Sequence, residues 1–319
     1  MKKILPWLFL LAWLPARAQV TATNEPAEAS SSAKSHFPSP VYPHNVQVVT
    51  NVAYLDAGRE ETADVYSPLQ LALADRLPGI LIIHGGGFND GDKARPREIN
   101  IATNLVTQGY VCVSINYRLR RKAGEVTWPQ AVYDAKTAIR WLRATAAQWH
   151  IDPARIGVIG CSAGGNLATM LALTRPKDGF DLAEPYGKTS SAVSCAVDFY
   201  GAVNLPEYHD MKMFGRTRAE APELYVKASP VTYVYREAPP ILIVHGTADA
   251  TVPLAQSQAL DAALTRVGAE HQLVVVPGAP HTFHLQPKQR DLRPLVFDFF
   301  AAHLKSGPGR LAGEASASH

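Results

Sequence analysis

From Gly79 onward the chain delivers six short, almost uninterrupted apolar runs: 80–83, Val111–Ile115, Ile156–Ile159, Ser194–Val197, Ile241–Val244 and Leu273–Val276. A strand with one face in water alternates apolar and polar residues, whereas a strand covered on both faces has no such need. Between the runs lie stretches with helical spacing. Trp128, Ala131, Ala135, Ala138 and Leu142 share one face, with Pro129 near the start, where its missing N–H does little harm. The stretches 166–173, 254–267 and 292–304 also read as helices. Together they predict an α/β fold built on a parallel sheet with helices on both faces. Two earlier runs, Val46–Leu55 and Thr62–Tyr66, alternate instead and flank Asp56-Ala57-Gly58-Arg59. They predict an antiparallel hairpin at the sheet edge and bring the count to about eight strands.

With 319 residues and 47% hydrophobic content, the chain can bury a sizeable core. Lys2 and Lys3 precede an apolar run, Ile4–Leu14, that ends in Ala16-Arg17-Ala18. This is the pattern of a signal peptide cleaved after Ala18, and it predicts a secreted or periplasmic protein without a membrane anchor. Residues 19–45, rich in Ala, Ser, Glu and Pro, read as a flexible leader, and 306–319 as a disordered tail. With no internal repeat or linker between them, residues 46–305 read as one catalytic domain. The 31 basic residues include three in the signal segment, and the remainder balance the 28 acidic ones, so the net charge of +3 disappears on export. That balance, without a basic patch, argues against nucleic acid as a partner. The three cysteines read as buried thiols rather than a disulfide framework, with room for one incidental disulfide in an oxidising compartment. The oligomeric state is not encoded in any feature of the sequence.

The chemistry is carried by the loops that leave the strands. Gly160-Cys161-Ser162-Ala163-Gly164 sits between an apolar strand and a helix, the setting in which Gly-x-Ser-x-Gly presents a serine hydroxyl at a sharp turn. A serine needs a base, an acid that orients the base, and donors for a developing oxyanion. His84-Gly85-Gly86-Gly87-Phe88 comes directly after the first buried run; Gly86 and Gly87, with the Ala163 N–H, are the candidate oxyanion donors. Asp249 lies in the loop after 241–244 and is the candidate acid, ahead of Asp198 and Asp261. His281, after the last strand in Pro277-Gly278-Ala279-Pro280-His281, is the candidate base, ahead of its neighbour His284. His84 and His245 end strands and are expected to support loops. The segment 201–237 lacks a long helical period; it reads either as a small lid over the strand ends or as a packed connection. Tyr208, Met213 and Phe214 within it are candidate pocket walls. No His, Cys and Asp set has metal-ligand spacing, Asn89-Asp90-Gly91-Asp92 reads as a turn, and no cofactor is called for.

These motifs, in the order His84-Gly-Gly-Gly87, Gly-Cys-Ser162-Ala-Gly-Gly, His245-Gly-Thr-Ala-Asp249 and Gly278-Ala-Pro-His281, resemble the esterase branch of the α/β-hydrolase superfamily. That branch includes hormone-sensitive-lipase-like carboxylesterases and bacterial feruloyl and acetylxylan esterases. Trp128–Asp134 and Ile151–Ile156 also resemble its connecting segments, so the likeness covers nearly all of 46–304. Cys161 departs from the Asp or Gly common at that place and is expected to affect packing rather than chemistry. The amino-terminal region is too short for a large helical cap, which favours the feruloyl and acetylxylan group. The resemblance implies a serine esterase acting by an acyl-enzyme on acetyl or feruloyl esters of plant polysaccharide. A general short-chain carboxylesterase, a prolyl-oligopeptidase-like peptidase and a non-catalytic binding protein are the alternatives.

Overall fold

The computed structural model describes residues 42–72 and 75–305. The signal segment, most of the leader and the tail lie outside the described residues. The leader's last residues do not trail freely: Val46 N donates to Pro43 O at 3.0 Å and Tyr42 packs edge-on against Tyr66. The strands are β1 (Val46–Ala53), β2 (Thr62–Pro68), β3 (Leu77–Ile83), β4 (Val111–Ile115), β5 (Ile151–Cys161), β6 (Ala196–Phe199), β7 (Ile241–Gly246) and β8 (His271–Val276). The helices are α1 (Pro96–Val106), α2 (Gln130–Ala144), α3 (Ala163–Leu173), α4 (Pro222–Lys227), α5 (Ala255–Val267) and α6 (Arg293–Leu304).

The strands form one sheet in the order β1-β2-β4-β3-β5-β6-β7-β8, in which β2 alone opposes the other seven. This is the α/β-hydrolase fold. Side chains along each central strand divide between two cores. Leu81 and Ile83, Val111 and Val113, and Ile241 and Ile243 pack with α2, α3 and α5. Ile80 and Ile82, Cys112, and Leu242 and Val244 pack with α1 and α6 on the other face. The period-2 alternation of a strand thus meets apolar cover on both sides, which explains the continuous apolar runs. Burying one such branched side chain contributes about 1.5–3 kcal/mol.

Three expectations shift. The sixth strand begins at Ala196 rather than Ser194, so Asp198 lies inside a strand rather than behind one. Helix α1 has no counterpart in the sequence reading. The segment 201–237 is a packed insertion of 3-10 turns and α4 that buries Leu205, Met213, Phe214 and Tyr225; its residues Ala202 and 208–212 rim the cavity over Ser162.

The sheet order reverses around β3, whose neighbours are β4 and β5. Such a reversal opens a crevice at the carboxyl ends of the strands. Ile83 pairs with Gly160, so the loop leaving β3 starts beside the turn that leaves β5.

Candidate active site

Ser162 occupies the turn between β5 and α3 with φ 57° and ψ −117°, a conformation that non-glycine residues rarely adopt. Its N–H is held by Phe199 O at 2.8 Å and its carbonyl by Asn166 N at 3.0 Å. The flanking glycines are required by contact. A Cβ at Gly160 would lie 1.9 Å from Gly164 O, and one at Gly164 would lie 2.0 Å from Ile83 O. No side chain fits where helix, strand and neighbouring strand meet this closely.

Three loops converge on the hydroxyl. His281 Nε2 lies 3.0 Å from Ser162 Oγ, and His281 Nδ1 lies 2.6 Å from Asp249 Oδ2. The other oxygen, Asp249 Oδ1, accepts Thr251 N at 2.9 Å and Val252 N at 2.8 Å, and the carboxylate is fully buried. An acceptor-only group beside Nδ1 places the imidazole proton there and leaves Nε2 free to accept from the serine. The loops carrying acid and base are tied together: Gly278 N donates to Thr247 Oγ1 at 2.8 Å and Ala248 N to Ala279 O at 3.1 Å. Tyr200 stands edge-on to the His281 ring at 4.7 Å, and its hydroxyl is fixed on Phe283 O at 2.6 Å.

The structure thus brings Ser162, Asp249 and His281 together and leaves their rivals apart. His284 Nδ1 accepts Gln286 N, Asp261 faces His271, and Asp198 binds Gly201 N at 2.9 Å. His245 stands at the end of β7 and supports the loop that follows it, as expected of a histidine at a strand end. It is fully buried, with Nδ1 2.7 Å from Ser257 Oγ, and Nε2 2.9 Å from Val252 O and 3.3 Å from Asp249 Oδ2. Burial pushes its pKa down, so it serves the acid loop as a neutral hydrogen-bonding group. Its spacing of four residues from Asp249 is a second signal that the sequence holds.

In the loop after β3, Gly86, Gly87 and Phe88 all have positive φ, at 127°, 61° and 62°. Gly86 makes the turn, accepting Asn89 N and Asp90 N on its carbonyl. Gly87 and Ala163 line the serine's cavity. Ala163 opens α3, where a helix leaves N–H groups without intrahelical acceptors and the dipole favours negative charge. His84 anchors the base of the loop: its Nδ1 is 2.7 Å from Gly85 O and its ring stacks on Tyr117 at 4.4 Å. Burial lowers its pKa to about 4.

The cavity over Ser162 has a volume of about 220 Å3, and Phe88, Tyr208, Met211 and Val252 give it apolar walls. Tyr208 therefore stands where the sequence reading placed it, with its hydroxyl on Thr251 O at 3.0 Å. Met213 and Phe214 do not. The 3-10 turn Lys212–Phe214 rotates both inward, where Phe214 packs against Tyr225 and Trp128 at 4.5 and 5.7 Å, and Met211 takes the pocket position. Cys112, Cys161 and Cys195 are buried free thiols; burial pushes Cys161 up to about 12, so it is a packing residue behind the turn. Among the described residues no group of three His, Cys, Asp or Glu side chains could hold a metal ion, and no helix is long and apolar enough to cross a membrane.

Asp198, fully buried behind α3, has one oxygen on Gly201 N and the other without a partner. Burial raises its pKa from 3.8 to about 7. Between those values the folded chain holds a proton that the unfolded chain has lost, so this contribution to stability declines as pH rises through the window. The total is on the order of 4 kcal/mol. Asp198→Asn is therefore expected to gain stability over wild type progressively from pH 4 to pH 8 in urea unfolding. A stability difference that does not vary with pH would contradict this account.

Comparison with known proteins agrees with the geometry. The BD-FAE family model matches residues 63–264. Esterase LipQ of Mycobacterium tuberculosis is 34% identical over 306 residues, covering 91% of this chain and 69% of LipQ. A truncated form of a carbohydrate esterase from gut microbiota superposes with a TM-score of 0.72 at 27% identity, covering 82% of this chain and 97% of that one. Esterase 2 of Thermogutta terrifontis, with butyrate bound, superposes with a TM-score of 0.68 at 26% identity, covering 84% and 97%. The family match spans most of the sheet and the turn that carries Ser162, and relatives named as esterases share the fold: this chain belongs to the BD-FAE family and is a carboxylic ester hydrolase.

Proposed function

We propose that the protein is an exported serine esterase that removes acetyl or feruloyl groups from plant polysaccharide. Ser162 Oγ attacks the ester carbonyl while His281 takes its proton and passes it to the leaving alcohol. Asp249 orients the ring and stabilises the imidazolium. Gly86, Gly87 and Ala163 receive the oxyanion, and water activated by His281 then releases the acid. The single observation that carries this reading is the 3.0 Å contact between His281 Nε2 and Ser162 Oγ, with Asp249 on the far nitrogen. The export signal in residues 1–18 and the likeness to a carbohydrate esterase support a polymeric substrate. A general short-chain carboxylesterase is the second reading, favoured by the small apolar-walled cavity and by the butyrate-bound neighbour.

The test is a panel of p-nitrophenyl esters of rising chain length beside methyl ferulate and acetylated xylan. Acetate and xylan release are expected to dominate; equal kcat/KM on all short esters, with no release from xylan, would favour the second reading. Tyr208→Ala is expected to lengthen the accepted acyl chain, because it removes a wall held in place through Thr251. Each extra buried methylene contributes about 0.8 kcal/mol, so hexanoate relative to butyrate should gain roughly ten-fold in kcat/KM. An unchanged chain-length profile would remove Tyr208 from the acyl pocket.

A further inference from the structure

We propose that a second cavity, at the amino-terminal edge of β6 and β7, binds a hydroxylated organic carboxylate of sugar size, such as a hexuronic acid residue. The cavity measures about 550 Å3 and shares no lining residue with the one over Ser162. Val193 and Pro239, which precede β6 and β7, form part of it, together with the last turn of α3 and residues of the loop 181–193. The groups around Ser162 lie past the opposite ends of the strands. Helix α3 runs from one site to the other, a span of about 16 Å at 1.5 Å per residue.

The charge balance of this cavity is incomplete. Lys136 and Arg140 of α2 are only 1% and 2% exposed, yet Asp181, the carboxylate that lines the cavity, pairs with Lys136 at 3.0 Å. Arg140 donates to Leu182 O and, at 3.5 Å, to Thr137 Oγ1, and its Nε has no acceptor. Arg175 and Lys188 add two more cations to the lining. The Arg175 guanidinium lies over the Tyr235 ring at 4.3 Å. Among the described residues no carboxylate lies within ion-pair distance of Arg140, Arg175 or Lys188. A buried guanidinium without a counter-charge is destabilising, and an entering anion relieves it. Guanidinium groups recognise carboxylates through paired N–H donors. Thr189 and Ser190 offer partners for hydroxyls, while Leu171, Val193 and Pro239 offer apolar contact for the C–H face of a sugar ring. The room suffices for one or two sugar residues. Binding here does not depend on which ester is cleaved at Ser162.

Calorimetric titration of the full chain with sodium glucuronate, glucose and inorganic phosphate, for wild type, Ser162→Ala and the double variant Arg175→Gln/Lys188→Gln, tests it. Lys188 is exposed and Arg175 is half-buried over Tyr235, whereas Arg140 also fastens the loop through Leu182 and is left intact. Glucuronate should bind saturably, at least ten-fold tighter than glucose or phosphate, and equally to Ser162→Ala. The double variant should lose at least ten-fold in glucuronate affinity while hydrolysing p-nitrophenyl acetate at the wild-type rate. Absence of saturable binding at millimolar glucuronate, equal binding of glucose, phosphate binding as tight as glucuronate, or undiminished affinity in the double variant would each overturn the proposal.

Discussion

Ser162→Ala is expected to lower kcat for p-nitrophenyl acetate by roughly 10^5-fold, with KM little changed, because no neighbouring group can replace the attacking oxygen. Cys161 cannot substitute, since it points into the core behind the turn and its thiol is held protonated by burial. What survives is the modest contribution of the oxyanion donors and of substrate positioning. A second variant separates chemistry from fold. With φ at 57° and ψ at −117°, Ser162 sits in backbone strain worth about 1–3 kcal/mol. Alanine keeps the Cβ and so keeps the strain; glycine releases it, less about 0.5–1 kcal/mol for its greater freedom in the unfolded chain. Ser162→Gly should therefore be as inactive as Ser162→Ala yet melt higher by a few degrees. Retention of activity within ten-fold in either variant would exclude Ser162 as the nucleophile. A glycine variant melting below the alanine one would exclude strain at the Ser162 turn.

That strain shows where the sequence is readable and where it is not. Gly160, Ser162 and Gly164 announce the turn because only glycine tolerates contacts as close as those with Ile83 O and Gly164 O. The sheet is equally legible, since covering both faces leaves apolar runs that no half-exposed strand would carry. Asp249 and His281 are found because the fold puts reacting groups just past strand ends, a positional rule that needs no knowledge of packing. The misses come from places where packing decides. Helix α1 is masked by Arg97, Glu98, Asn100 and Asn104, although Glu98 is buried against Arg97 at 2.7 Å. Met211 and Met213 are two residues apart in a similar setting, and only the 3-10 turn between them decides which faces the cavity over Ser162. Asp198 looks like a loop residue because a lone carboxylate inside a central strand violates the pattern by which strands are recognised. It is tolerated there because Gly201 N meets one oxygen and the raised pKa keeps the group neutral below about 7.

Asp249→Asn is expected to be nearly as damaging as loss of the serine, at roughly 10^4-fold in kcat, although it is close to isosteric. The reason lies on the side of the carboxylate away from the histidine. Asp249 Oδ1 is fixed by two backbone donors, Thr251 N and Val252 N, at 2.9 and 2.8 Å. An asparagine can satisfy both only by placing its carbonyl oxygen there, which turns its NH2 group toward His281 Nδ1. That nitrogen must then accept, so the ring proton moves to Nε2 and faces Ser162 Oγ, where a base is needed. The same two backbone bonds preserve the loop, so the variant should melt close to wild type. Asp249→Ala lacks this enforced tautomer: water can reach Nδ1 and the imidazole retains some productive population, with two unsatisfied N–H groups and lower stability as the consequence. The conservative replacement is therefore expected to be the worse catalyst and the better-folded protein, a crossing that steric or purely electrostatic loss does not produce. If Asp249→Asn retained more than a tenth of wild-type kcat, or exceeded Asp249→Ala by a wide margin, the carboxylate would be stabilising the loop rather than setting the protonation of His281.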